Sequence, residues 1–269
     1  MKSFKKTATN LILFSTIAIS AISCQSSGSK SSGISNAVDL NAQSVKGTES
    51  SSFYTTMSKI VISDKGKVTK KYTSQVKFEI DRTTINVNDK GDIQFRTVTK
   101  NKSGDIDLKD MAYPEPGQEL FEMIDKFGKP LVVKDIPIGS IFYIPRVTLP
   151  KNAVHVGDSW SFKGRWVALD TGLPFELRID SKLKAWSDCD GLACAIITFT
   201  GEVLLPEDFP LKSTLKSKIK GTFHYSPVSY EVLWGESFSE EEFYIEPIQK
   251  LIKVDSKSCS CKIGYVKKC

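Results

Sequence analysis

Six cysteines carry most of the chemistry that spacing alone reveals in this 269-residue chain. Cys189 and Cys194 flank Asp190-Gly191-Leu192-Ala193. Asp-Gly is a strong hairpin-turn signal. A four-residue loop sets the two cysteines opposite each other across that hairpin, within disulfide reach. The tail KSCSCKIGYVKKC holds Cys259, Cys261 and Cys269. One bridge from Cys269 to Cys259 or Cys261 staples this tail and leaves one thiol over; Cys261–Cys269 is the pairing carried forward. An odd thiol stays reduced or pairs between chains. A zinc centre would need a fourth ligand in tetrahedral geometry. The two histidines, His155 and His224, lack ligand spacing, so neither a metal nor a cofactor is expected.

Other groups are tempting and have structural explanations. His155, Asp158 and Ser159 contain the residue types of a catalytic triad, but a triad is assembled from separated segments, and these three sit on one turn. His224 falls on a strand in Phe223-His224-Tyr225. Asp188-Cys189-Asp190-Gly191 looks like the start of a calcium loop without the remaining oxygen ligands. Glu240-Glu241-Glu242 reads as a solvated strand edge, with at least one side chain facing away from its neighbours. Neither a Gly-rich phosphate loop nor a nucleophile elbow is present. No catalytic residue is assigned, and the chain is not expected to be an enzyme.

The sixth cysteine, Cys24, ends a different kind of segment. Lys2, Lys5 and Lys6 precede a twelve-residue apolar run, Leu11 to Ile22, followed by Ser23 and Cys24. Positive, apolar and small residues in that order form the signal-peptide pattern. A spanning helix needs about 20 residues, so the run is too short to be one. A cysteine at the expected cleavage point resembles the lipobox of bacterial lipoproteins. Ser23 fits the position before it, and Ala21 departs from the usual leucine as relaxed, spirochaete-type lipoboxes do. The resemblance implies cleavage before Cys24 and acylation of its thiol. It also implies a membrane partner through that lipid and a place in the cell envelope. Ser26 stands where an inner-membrane retention signal would have Asp, which points to the outer membrane. Residues 24–52, opening QSSGSKSSG, are small and polar and read as a flexible tether.

Composition bounds the rest. The chain has 37 Lys+Arg and 31 Asp+Glu, a net charge of +6. Losing residues 1–23 removes three lysines and no acid, so the mature chain is mildly basic with mixed signs. That is not the concentrated basic stripe that nucleic acid requires. Residues 53–269 suffice for a single mainly-β domain.

Its elements must position the groups named above. Alternation predicts strands over 53–63, 67–80 and 92–100, then 159–168, 174–187, 193–204, 213–225, 229–245 and 248–256. Leu120, Phe121, Ile124 and Phe127 predict one helix, Pro116 to Phe127, stopped at Gly128. The expected fold is a strongly curved antiparallel sheet or half-barrel with that short helix on its concave side; a two-sheet sandwich is the alternative.

Leu149 to Trp160, LPKNAVHVGDSW, resembles a motif of uncharacterised bacterial envelope proteins, Val-x-Val-Gly-Asp-Ser/Thr-Trp before a strand. The likeness runs from about Val147 to the C-terminus and implies no reaction. Gly157-Asp158 reads as a tight turn and Trp160 as a core anchor. Three functional classes follow, in order: an interaction or structural module meeting an envelope or extracellular protein; a carrier of a lipid-like apolar ligand in the half-barrel; and, distantly, an enzyme.

Overall fold

Val76, Phe78 and Ile80 alternate with Lys77, Glu79 and Asp81, and in a strand that puts one set on a core and the other in water. The same pattern recurs along the chain and yields an all-antiparallel sheet in the computed structural model. It describes residues 37–104, 116–134, 148–167, 174–267 and 269. Eleven strands are present: β1 (Glu49–Asp64), β2 (Lys67–Val87), β3 (Ile93–Gly104), β4 (Glu119–Ile124), β5 (Pro130–Lys134), β6 (Ser159–Val167), β7 (Pro174–Cys189), β8 (Leu192–Leu204), β9 (Ser213–Ser226), β10 (Glu231–Ile245) and β11 (Lys250–Lys262). Their spatial order is β5-β4-β3-β2-β1-β11-β10-β9-β8-β7-β6. Two meanders therefore meet where the first strand pairs with the last, and β5 and β6 are the outer strands.

The sheet curls without closing. One face gathers Ile60, Ile62, Ile93, Phe95, Ile124, Leu177, Ile179, Ile197 and Phe243 into a single core. Residues from both halves of a sheet this wide meet on one face only if it bends round them, so the architecture is the expected curved sheet or half-barrel. The loop before β9 covers part of this concave side. Phe209 stands between Phe175 and Phe243, with ring centroids 5.6 and 6.2 Å away.

The predicted helix at Pro116–Phe127 is not formed. Leu120 and Ile124, four apart, face the core together, but four is also an even number, and strand β4 achieves the same result. β4 pairs with β3 on one side and β5 on the other. Gly128 is a hairpin residue with φ +79° rather than a helix stop. Asp125 accepts hydrogen bonds from the backbone of Phe127 and Lys129, which fixes that turn. Among the described residues the only helical element is a 3-10 turn, Glu246–Ile248, between β10 and β11.

The tether assigned to 24–52 does not hold over residues 38–52. Residues 1–36, with Cys24, lie outside the described residues, but the chain from residue 37 belongs to the domain. Leu40 is 1 % exposed and sits in the core with Ala42. Val38 exchanges two 3.0 Å backbone hydrogen bonds with Val154, ahead of β6. Ala42 donates to Lys126, after β4, at 2.7 Å, and Gly47 donates to Thr84 of β2. The Tyr225 hydroxyl donates to the carbonyl of Asn41. Residues 38–47 thus form a strap across the gap between the sheet's two ends. Two apolar side chains in a polar-looking run were enough to fix it.

The strap makes a stability prediction. Leu40→Ala removes a fully buried side chain, so it should cost about 2–5 kcal/mol, read as a lower urea midpoint.

Candidate functional site

Two groups of residues can do chemistry, and they lie on opposite faces. On the convex side, the rim formed by the ends of β7 to β11 carries the cysteines. Asp190 and Gly191 both have positive φ, 62° and 79°, and make a two-residue hairpin turn. Cys189 pairs across with Leu192, and Cys194 with Ser187, so the two cysteines are diagonal rather than facing. Their Cα atoms are 5.8 Å apart and the sulfurs are bonded. Asp188 accepts from the Gly191 N–H at 2.8 Å, a turn role in place of a calcium ligand.

The tail differs from the pairing carried forward. Cys259, not Cys261, bonds Cys269, and Cys261 is buried outside both disulfides. Its register explains this: Cys261 lies between Phe53 of β1 and Trp234 of β10. It packs there with Tyr265 as a small hydrophobe. The tail folds back over the sheet. Tyr265 also packs against Cys189, Cys194 and Leu233, and the Lys267 ammonium stands 3.3 Å from the centroid of Trp234. Tyr265 and Lys267 therefore cover the convex face at this corner of the sheet.

His224 is the titratable group of this corner. Its ring meets Trp234 edge-on at 4.7 Å, and its Nδ1 lies 3.5 Å from the Cys189 sulfur. Burial, and secondarily the Lys267 charge, pushes it down to about 4, so it is neutral at pH 7. Cys189, Cys194 and His224 have metal-ligand proximity. With the two sulfurs joined to each other they are not thiolates, and zinc binds thiolate.

The concave side holds the second group, which the sequence reading missed. Glu241 is not on a solvated edge. β10 is interior to the sheet, and Glu241 pairs with Val254 and Ser217, on the face that holds Phe243. Glu240 and Glu242 take the other face, where Glu242 meets Lys253 at 2.6 Å and Lys216 at 3.1 Å. The Glu241 Oε1 is shielded from solvent with no hydrogen-bond partner, although the residue as a whole is only half-buried. Burial pushes its carboxyl up to about 8.

Next to it runs a band of hydroxyls. Ser74, Ser58, Ser256 and Ser239 lie side by side across β2, β1, β11 and β10, and Thr56, Ser258 and Ser237 form the next row. All seven are buried. Ser58 and Ser256 bond at 2.7 Å, and Thr56 and Ser258 at 3.0 Å. The Ser74 hydroxyl has no partner. Gly221 continues the second row because a Cβ there would come within 2.3 Å of the Phe199 ring. The signal for this site was available: Ser237, Ser239 and Glu241 share the parity of Phe243 and Ile245, both core-type residues.

The remaining sequence candidates are structural. His155 and Asp158 close a turn, with the Asp158 carboxylate accepting from the His155 N–H at 2.8 Å. Ser159 opens β6. Trp160 donates its indole N–H to the Thr148 carbonyl at 2.8 Å and packs on the core. Glu241 and His224 point to opposite faces and do not form an acid–base pair. No family model matches the chain, and no curated protein is similar enough to match it.

Two expectations follow. Peptide mapping without reduction should return Cys189–Cys194 and Cys259–Cys269, with Cys261 alkylated only after unfolding. A Cys261–Cys269 peptide would reverse the assignment. For His224, the ordinary histidine value of 6.5 falls to about 4 on folding, so the unfolded chain binds more protons between those values. Its contribution to stability is complete above pH 6.5 and is lost as the pH falls towards 4. Allowing for the ring's partial exposure, the loss is on the order of 2 kcal/mol. Urea midpoints at pH 7 and 4.5 should diverge more for the wild type than for His224→Phe.

Proposed function

We propose that this chain is a lipid-anchored protein of the bacterial cell envelope, cut before Cys24 and acylated there, whose domain works as an interaction or structural module. The observation that carries the module is the convex face. Met57 and Phe238 stand 44 % and 40 % exposed on one cross-strand row, with Lys257 between them and Lys220 beyond. Lys257 and Lys220 lie 5.3 and 5.9 Å from the Phe238 ring. Rigid strands presenting two large apolar side chains among cations suit a protein partner better than solvent. The resemblance of the N-terminus to a relaxed lipobox supports the anchor and, with Ser26, the outer membrane.

A second reading, a ligand binder in the half-barrel, rests on the unpartnered Glu241. A purely apolar acyl cargo suits it poorly, because Leu40, Leu149 and Val154 already fill part of the concave side and hydroxyls line its middle.

Mass spectrometry of the mature N-terminus tests the anchor: the expected product begins at a diacylated or triacylated Cys24, and an unmodified Cys24 or another start refutes it. A photo-reactive residue replacing Phe238 should form adducts in intact cells, whereas one replacing Val68, exposed on the β1–β2 hairpin, should not. Equal labelling at both sites would remove the module. Trypsin shaving of whole cells then reports which side of the membrane the domain faces.

A further inference from the structure

We infer that the concave face carries a binding site for a small amphipathic ligand bearing an ammonium group, with Glu241 as the counter-charge. This goes beyond the module and does not depend on the lipid anchor.

The inference starts from a cost. A carboxyl group enclosed without a hydrogen-bond partner is expensive to leave in place. Glu241 bears that cost in the interior of the sheet, on strand β10, where an apolar residue would pack beside Val254 and Phe243. The second observation is independent. Ser74, 3 % exposed, also lacks a partner for its hydroxyl at the far end of the adjoining row. Two unsatisfied polar groups thus bracket a band of buried hydroxyls on four neighbouring strands. Serine and threonine side chains are short, and the band offers hydroxyl oxygens as acceptors.

The ligand class follows from the donor count. An ammonium group has three donors and no acceptor. It could give one hydrogen bond to the Glu241 carboxylate and others to neighbouring hydroxyl oxygens such as those of Ser239 and Ser256. It would also return the carboxyl group to its charged form. A neutral alcohol offers one donor and no charge, and an anion can accept from the hydroxyls but brings no counter-charge for the carboxylate. The cross-strand row through Glu241 consists of Tyr72, Ile60, Val254, Glu241 and Ser217, with no lysine or arginine on it to fill the role from within. Its apolar members would hold the ligand's hydrocarbon part.

Hexylamine, hexanol and hexanoate share one chain length and differ in head group, so calorimetric titration of the full-length chain with each at pH 7 separates the alternatives. Hexylamine should bind at one site per chain, at least about tenfold more tightly than hexanol, and hexanoate should not bind. Glu241→Gln should lose at least about tenfold of the hexylamine affinity while melting no lower than the wild type, because the change removes an unpaired acid without changing its shape. Ser74→Ala, remote from the carboxyl group, should weaken binding less. Equal affinity for all three probes, no hexylamine binding, or an unchanged Glu241→Gln affinity in a folded variant would each overturn the inference.

Discussion

Thirteen residue pairs, from Ser52–Lys262 to Asp64–Lys250, hold the first strand of the sheet against the last. Without them the chain is two separate meanders, each with a long unpaired strand exposed to other chains. With them, β1 and β11 lie inside one sheet and the outer positions fall to β5 and β6. The seam joins residues such as Ser58 and Ser256, 198 positions apart, so loop closure must precede most of the reward and folding should be slow. Its small side chains matter as well. The hydroxyl pairs across the seam form the floor of the concave site, and Glu241 stands on the strand beside it.

The two faces of the sheet do different work. The convex side is an ion-paired surface that gives way at one corner to a disulfide-clasped patch of aromatic residues. Most ion pairs on it, such as Glu242 with Lys216, are solvent-exposed on at least one partner and contribute little individually. The clasp is more consequential, since Tyr265 and Lys267 shield a corner where β10 would otherwise show Trp234 to water. The concave side has the reverse composition: apolar at the margins, polar in the middle, and with one acid whose charge is suppressed.

Much of this was legible from the residues. Strands with an apolar parity and Gly-containing turns announced themselves, including β7 to β10 almost to their ends, because alternation and turn chemistry are local. What failed was what depends on neighbours. Leu120 and Ile124 fit helix and strand equally well, and only the free edge of β3 selects the strand. Leu40 sits in a polar stretch whose docking depends on a gap that exists only after the sheet has curled. Cys259 and Cys261 are two residues apart and share a face, so the choice between them was made by Phe53 and Trp234 on adjoining strands. The acidic triplet was misread for the same reason: its alternation was seen, but not that β10 is interior.

The strap has a mechanical consequence. It is the first described stretch of the chain, and it latches to one end of the sheet through the two Val38–Val154 hydrogen bonds. Tension drawn along the N-terminus therefore loads that latch before any strand. That single residue pair would give way as a unit, whereas the thirteen pairs of the seam share a load in shear. An open sheet freed of its latch can also relax its bend, widening the concave side. Force on the N-terminus is in this way converted into curvature.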